Sequence, residues 1–391
     1  MICPFPFFVK TSLNQLTQAG FLAFVVGGAV RDMLLSRQVL DYDIATNASP
    51  TQVKSLFAKT LSHGEKYGTI TVVTEEGNIE ITTFRKDGAY QDKRHTEEVF
   101  FIGDLPGDLK RRDFTINAMA MDSKGNLMDP FHGKKDLEAG IIRTVGEPAQ
   151  RFSEDALRIF RGLRFAAKLG FSIEENTWVA MTKQAHLVKN LSRERIASEI
   201  KQILCSPRPM VMEQVLQLGL LDGFLEGDAP FTPPSLVALE TLPSQFPVRF
   251  IGFLYLTKLS ENLSLNLGFD KKTTGLIGKS LRLLHQGVAT EKVGLKRQLA
   301  EYGLEAVETA ITVEAVFLGK QTKLVLKEIL QQKEPFLYAH LAIKGDDLKK
   351  LGIAPGKEMG ALLESLLQHV ISHPQDNDKQ CLLDFLEKGK D

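Results

Sequence analysis

The sequence predicts an α+β chain: a mixed sheet with helices over roughly the first 145 residues, followed by helices alone. Three observations carry this expectation. Up to about residue 145, β-rich segments alternate with segments of helical periodicity. From Glu154 onward apolar residues recur at helical spacing with few β-branched runs. The 391 residues also exceed one ordinary domain of about 100 to 200 residues, so two to four packed units are expected.

Taken in order, Phe21 to Val26 reads as a buried strand that ends at Gly27-Gly28, and Ala29 to Leu35 as the helix that follows. A short strand around Asp41 to Ala45 comes next, then a helix from about Pro50 to Leu61 with Asn47 or Ser49 as N-cap. Thr69 to Thr74 and Asn78 to Arg85 are β-rich and flank Glu75-Glu76-Gly77, which predicts a hairpin. Lys86 to Glu98 is charged and aperiodic and reads as a loop. A helix beginning near Arg112 or Asp113 and a strand near Gly125 to Asp129 complete the α/β part.

Beyond it, Ala156, Ile159, Phe160, Leu163, Ala166 and Ala167 form one apolar stripe. Leu187, Leu191, Ile196, Ile200 and Ile203 suggest further helices. Pro207 and Pro209 mark a break, and Pro230, Pro233, Pro234, Pro243 and Pro247 a looser connector. The region after Phe250 is again helical, and no internal repeat or low-complexity tract is visible.

Composition is that of a globular protein, with 43% hydrophobic residues and 48 basic against 48 acidic side chains. A neutral chain argues against broad electrostatic coating of nucleic acid, although local clusters can hide inside a zero sum. Two modest excesses exist: 14 basic against 9 acidic residues from Lys271 to Lys350, and 10 against 6 from Arg151 to Lys201. They suit recognition of a folded RNA through its phosphates and 2′-hydroxyls, and they equally suit solvated helix faces. Cys3, Cys205 and Cys381 are odd in number and in no metal spacing, which speaks against a disulfide framework and for a reducing compartment. The apolar start, Met1 to Phe8, lacks the flanks of a signal peptide, and no apolar stretch approaches a bilayer span. The expected location is cytoplasmic, with no membrane partner.

The strongest chemical signal is Asp41-Tyr42-Asp43. On a strand, carboxylates two apart project to one face, where they can hold a pair of divalent cations for phosphoryl or nucleotidyl transfer. About a dozen residues earlier lies Gly27-Gly28-Ala29-Val30-Arg31-Asp32. Glycines between strand and helix let backbone N–H groups approach a polyphosphate, and Arg31 adds charge. Each signal alone reads as a solvated loop or a tight turn; together they match a nucleotidyltransferase of the DNA polymerase beta type.

Those segments, with Ile-Glu-Ile-Thr-Thr-Phe-Arg at 79–85, Arg-Arg-Asp-Phe-Thr-Ile-Asn-Ala-Met-Ala at 111–120 and Glu-Asp-Ala-Leu-Arg-Ile-Phe-Arg-Gly-Leu-Arg-Phe at 154–165, resemble the ordered motifs of the class II tRNA nucleotidyltransferases and bacterial poly(A) polymerases. The five motifs cover about the first half of the chain; the second half is similar only in length and helical character. The resemblance implies a polymerase-beta-like catalytic head over 1–148, then an all-α neck (149–208), body (209–320) and tRNA-binding tail (321–391). It implies that Asp41 and Asp43 hold Mg²⁺, and that Gly28, Arg31, Arg112, Arg161 and Arg164 bind the nucleotide. The 3′-hydroxyl of tRNA then attacks the α-phosphate of CTP or ATP and expels pyrophosphate, adding C, C and A in turn. Glu80 is either a third carboxylate near the metals or an exposed strand residue. Arg111-Arg112 is expected at a helix start, with Asp113 capping it.

Asp155, Arg158, Arg161 and Arg164 recur every three residues and predict a polar stripe on one helix. Cytosine and adenine each present an exocyclic amino donor beside a ring-nitrogen acceptor; uracil and guanine present a carbonyl and an N–H at the matching places. A carboxylate beside a guanidinium complements the first pattern and rejects the second. In the family resembled, Asp155 and Arg158 stand where a protein template reads the base. A salt-bridged helix surface is the alternative.

The loop from Asp87 to His95 lies where that family has a loop that helps switch the pocket between C and A, with Thr96 in place of an expected proline. Ser192-Arg193-Glu194-Arg195-Ile196 resembles a further motif and reads as helix support. Gly278-Lys279-Ser280 fails as a phosphate loop because Thr273 occupies the required glycine position. His369 and His373 are one helical turn apart, but Pro374 follows and no third ligand is evident, so a surface helix end is expected rather than a zinc site. No His-Asp dipeptide occurs, so an appended metal-dependent phosphohydrolase is not expected. The rival readings are a poly(A) polymerase, enzymes adding only CC or only A, and a non-catalytic RNA-binding module, which the intact Asp41 and Asp43 disfavour. The short charge-mixed end, Asp384 to Asp391, tilts the choice toward tRNA. A homodimer is left open.

Overall fold

The structure, a computed structural model, describes residues 5–87, 99–225 and 235–388. These fall into two compact units, residues 1–203 with 214–223 and residues 204–213 with 224–391.

The first unit begins with α1 (Phe7–Gln18), a helix that the sequence reading above does not include. Val9, Leu13 and Leu16 are fully buried and lie three and four residues apart, one apolar stripe against the sheet. Then come β1 (Ala23–Val26), α2 (Gly28–Leu34), β2 (Tyr42–Thr46) and α3 (Pro50–Leu56). Ser49 caps α3 in a reciprocal box with Gln52 and Pro50 opens its first turn. This helix ends five residues earlier than expected, because Thr60 and Leu61 form β3 instead.

The hairpin of β4 (Thr69–Val73) and β5 (Asn78–Thr83) follows as expected, then β6 (Arg85–Asp87) paired with β7 (Val99–Phe101). The loop assigned to Asp87–His95, with Thr96, lies outside the described residues apart from the backbone of Asp87. The remaining head elements are α4 (Leu105–Lys110), β8 (Ala120–Met121), β9 (Leu127–Met128) and α5 (Gly133–Ala139).

Seven strands form one sheet in the order β3-β4-β5-β2-β1-β8-β9. The β2–β5 pair is parallel and the others are antiparallel. Phe24, Val26, Ala45, Phe84, Leu109 and Ala120 build a core on one face. The rest of this unit is helical apart from the short pair β10 (Ile141–Ile142) and β11 (Ser172–Ile173): α6 (Pro148–Glu154), α7 (Leu157–Leu169), α8 (Glu175–Gln184) and α9 (Arg193–Leu204).

Two local expectations are corrected. Arg111 and Arg112 follow a helix rather than start one: Asp104 caps α4 through the Gly107 N–H at 2.8 Å, and Pro106 sits in its first turn. The run from Asp155 to Arg164 is not one helix, since α6 stops at Glu154 and Asp155 is extended (φ −150°, ψ 104°) before α7 begins.

At Gly133 an added Cβ would stand 2.1 Å from the Thr115 carbonyl oxygen and 2.8 Å from its carbon. Backbone, not a flexible side chain, would have to move, and overpacking of this kind costs about 1–3 kcal/mol. Gly133→Ala is therefore expected to lower the thermal midpoint by several degrees, at roughly 2–4 °C per kcal/mol for a unit of this size. An unchanged midpoint would contradict the packing.

The second unit is helical: α10 (Met212–Gln217) bridges the boundary, followed by α11 (Phe246–Thr257), α12 (Asn262–Asn266), α13 (Lys271–Gln286), α14 (Lys292–Tyr302), α15 (Leu304–Leu318), α16 (Thr322–Gln331), α17 (Gly345–Lys350), α18 (Lys357–Ser372) and α19 (Lys379–Lys388). Phe246, Phe250, Phe253 and Phe269 form an aromatic cluster at α11, and Lys296, only 1% exposed, is paired with Glu334 at 2.7 Å. Leu348, Leu366, Leu367, Val370, Ile371 and Leu382 pack α17, α18 and α19 into a separate core.

Candidate active site

The cleft forms where three strand ends meet. Val26, the last residue of β1, pairs with Asp43 on β2, and Asp43 in turn pairs with Glu80 on β5. The chain leaves β1 through Gly27, whose φ of 70° lies in the left-handed region, and enters α2 at Gly28. A Cβ on Gly27 would come within 2.9 Å of Arg112 Nη1, so the absent side chain also makes room for that guanidinium.

Asp43 and Glu80, side by side on inner strands, form one acidic group with Asp41. Burial, the Glu80 and Asp41 charges push the Asp43 carboxyl up to about 6, against the pull of Arg112. An all-oxygen donor set of crowded carboxylates is what a hard divalent cation relieves, and the residues fit one. Asp41 precedes β2 by one residue and is exposed.

Asp43 of this group borders a cavity of about 590 Å³ lined also by Gly27, Gly28, Arg31, Arg112, Asp155, Arg158, Arg161 and Arg164, with Arg85, Arg111, Asp113, Asn117, Glu154, Leu157, Phe165, Lys168 and Arg195. Eight of the nine residues singled out in the sequence line it, and Asp41 stands beside it. Nine basic side chains face four acidic ones, so a neutral chain concentrates positive charge where a triphosphate would sit.

Carboxylates hold these cations in place. Arg31 is buried, donates to both Asp32 oxygens at 2.9 Å and reaches Asn117 Oδ1 at 2.7 Å. Arg112 pairs with Asp108 at 3.2 Å and Arg161 with Asp113 at 2.5 Å, while Arg164 donates to Glu199 at 2.7 Å. The ring of Phe165 lies under three guanidinium groups, at 5.4 Å from Arg31, 5.7 Å from Arg161 and 4.3 Å from Arg164.

Burial pushes the Asp108 carboxyl up, but Arg112 and Arg111 outweigh it and hold it below its usual value; Arg161 does the same for the buried Asp113. Asp113 is therefore a counter-ion that also accepts from the Phe114 N–H and the Asn117 amide, rather than the N-cap of a helix.

The proposed base readers are held separately. Asp155 accepts from the Leu157 N–H at 3.0 Å and from Arg195 at 2.7 Å. Arg158 is buried and donates to Glu154 at 2.6 Å, to the Arg151 carbonyl at 2.9 Å and to the Arg111 carbonyl at 3.0 Å. Arg195, Glu199, Asn117 and Phe165 were not picked out from the sequence as site residues. Their signals lay in quoted segments, Arg195 in Ser-Arg-Glu-Arg-Ile and Asn117 and Phe165 in the two longer motifs; Glu199 had none.

Residues 23–143 match the family described as the poly A polymerase head domain, 170–231 the probable RNA- and SrmB-binding site of polymerase A, and 269–386 a putative tRNA nucleotidyltransferase domain 2. Fold and site define a nucleotidyltransferase of this class, whose members use a divalent metal. The chain belongs to the CCA-adding enzyme family: it is 36% identical over 388 residues to the CCA-adding enzyme of Limosilactobacillus fermentum (95% of this chain, 94% of the relative) and 37% identical over 387 residues to that of Lactobacillus helveticus (96% and 95%). Its fold is similar to the crystal structure of the Bacillus stearothermophilus CCA-adding enzyme in complex with CTP, with a TM-score of 0.85 and 30% identity over 100% of this chain and 98% of the other. A Thermotoga maritima CCA-adding enzyme complexed with tRNA shares the fold at a TM-score of 0.67 and 21% identity, covering 97% and 94% of the two chains.

Proposed function

We propose that this chain builds and repairs the 3′-terminal CCA of tRNA from CTP and ATP without a nucleic-acid template, releasing pyrophosphate. The observation that carries the reading is the single cleft in which Asp43, the glycine turn, the arginine cluster and the pair Asp155 and Arg158 come together. The similarity to CCA-adding enzymes over the whole chain supports it.

In this reading Asp41 and Asp43 hold Mg²⁺, with Glu80 beside them. A divalent cation held there would supply charge to activate the tRNA 3′-hydroxyl and to offset the charge of the leaving pyrophosphate. Gly28 lets the start of α2 approach the phosphates, and Arg31, Arg112, Arg161 and Arg164 take up their charge. Asp155 accepts from the exocyclic amino group of cytosine or adenine, and Arg158 donates to the adjacent ring nitrogen. Fixed acceptors and donors reject uracil and guanine because mispairing leaves buried polar groups unsatisfied.

The chain is divided here into a head over 1–148, a neck over 149–208, a body over 209–320 and a tRNA-binding tail over 321–391. The three matched segments at 23–143, 170–231 and 269–386 support that division. Among the described residues no helix is long and apolar enough to cross a membrane, and a cytoplasmic location follows from the substrate.

The descriptions matched by 23–143 and 170–231 also favour a second reading, a poly(A) polymerase. One experiment separates them: tRNAs ending at the discriminator base, after the first C and after the second C are incubated with CTP and ATP, separately and together. Addition is expected to stop at CCA in every case. Long A tails would establish the second reading, and arrest at CC or failure to start without it would reduce the activity to a partial one.

A further inference from the structure

α18 ends at the surface, as its sequence suggests, but the structure adds a group there that the helical spacing does not show. The helix runs to Ser372, and Pro374 then opens a short 3₁₀ turn (Pro374–Asp376) that folds back over the last helical turn. This brings in the third group missing from the sequence pattern. The ligating atoms of His369, His373 and Asp376 all lie within 4.8 Å of one another, and His369 Nε2 is 2.9 Å from Asp376 Oδ2.

We infer that His369, His373 and Asp376 form a binding site for one borderline-soft divalent metal of the zinc class, separate from the catalytic cleft. Two imidazoles and a carboxylate are the donors Zn²⁺ takes when three protein ligands leave a fourth position open. The imidazoles stand side by side on one helix face, rings 4.9 Å apart and 24° from parallel.

Their surroundings are already arranged for ligation. His373 Nδ1 lies 3.3 Å from the His369 carbonyl oxygen. A proton on that nitrogen leaves Nε2 with its lone pair, the backbone-bonded arrangement that commonly orients a metal-ligating histidine. His369 is buttressed by Phe385 of α19, stacked at 4.2 Å. The turn bearing Asp376 is tied down by the next residue, whose side chain accepts from the Ala342 N–H and donates to the His340 carbonyl, both at 2.9 Å.

Metal–ligand bonds of about 2.0–2.1 Å place tetrahedral ligands roughly 3.3 Å apart. The widest separation must therefore close by at most about 1.5 Å, a rotation open to the exposed His373 ring. Metal binding would staple the end of α18 to the turn that leads into α19 and stabilise the native state by mass action.

The test is calorimetric titration of the full-length, chelator-stripped protein with Zn²⁺ in excess Mg²⁺, in the parent and in an Asp41→Ala, Asp43→Ala background. One Zn²⁺ per chain is expected in both, with affinity roughly tenfold or more weaker in His373→Gln and in Asp376→Asn. Co²⁺ should give tetrahedral absorption bands in the parent and not in His373→Gln, whose exposed side chain leaves the core and the His369–Phe385 stack intact. No saturable Zn²⁺ binding, equal affinity in His373→Gln, or binding lost instead in Cys381→Ser would overturn the site.

Discussion

Asp43→Asn is expected to reduce CMP incorporation into tRNA lacking CCA by about 10³-fold, while the protein keeps or gains thermal stability. The loss follows from position: Asp43 is the carboxylate that pairs in register with Glu80 and faces the cavity of the arginine cluster. In the proposed reading Asp43 holds the divalent cation, which supplies several kcal/mol of transition-state stabilisation, and about 4 kcal/mol corresponds to roughly 10³ in rate.

The stability half follows from the raised pKa. The folded state holds the Asp43 proton more tightly than the unfolded chain, whose value is near 3.8, and releases it only around 6. The fold therefore loses stability from this group as pH rises from about 4 to 6, and the deficit persists at pH 7. Asparagine carries no charge to desolvate, so the metal-free variant should melt at or above the parent temperature at pH 7, with the difference shrinking toward pH 4. Single-turnover incorporation and melting curves between pH 4 and 8 measure both halves. Activity within tenfold of the parent would remove Asp43 from the chemistry.

That site was legible in the sequence where its geometry is local. The glycine turn follows β1 and Asp43 lies on the neighbouring β2, and period-2 alternation predicts a shared face for Asp41 and Asp43, although β2 begins only at Tyr42. Local caps were legible too: Asn47 or Ser49 was expected to cap α3 before Pro50, and Ser49 does. What failed was local signal overridden by packing. Asp104-Leu105-Pro106 carries the cap and first-turn proline of α4, yet the charged pair Arg111-Arg112 looked more like a helix start. The spacing of three from Asp155 to Arg164 looked like one helical face, but the chain breaks at Asp155.

The partners of the arginines lie farther out of reach. Arg161 meets Asp113 and Arg195 meets Asp155 across 48 and 40 residues, and Arg164 meets Glu199 across 35. No periodicity encodes such pairs. Other pairs are local, Arg31 with Asp32 and Arg112 with Asp108 among them; for Arg158 the alternative was a salt-bridged helix surface, whereas the structure pairs it with Glu154 and also buries it against two backbone carbonyls.

This division of partners sets the order of effects on base choice. In the proposed reading Asp155→Ala removes the acceptor for the exocyclic amino group, and each mispaired or unpaired polar group is worth about 1–3 kcal/mol, so discrimination against UTP and GTP should fall roughly 5- to 150-fold. Arg195→Ala leaves Asp155 in place but frees its carboxylate to rotate. The Arg195 side chain is 48% exposed, and an exposed ion pair contributes less than about 1 kcal/mol to stability. Selectivity should therefore drop about tenfold with little change in melting temperature, and Arg195→Lys should restore part of it, since a single ammonium replaces the planar fork. Arg158→Ala should behave differently, lowering stability as well as selectivity, because it removes a donor from the Arg151 and Arg111 carbonyls and one of the two arginines that pair with Glu154. Competition assays with all four nucleotides, run beside melting curves, separate the three. If UTP and GTP stay excluded after both Asp155→Ala and Arg158→Ala, the base is read by other groups, and Arg195 is then only a brace between α9 and the extended residue that separates α6 from α7.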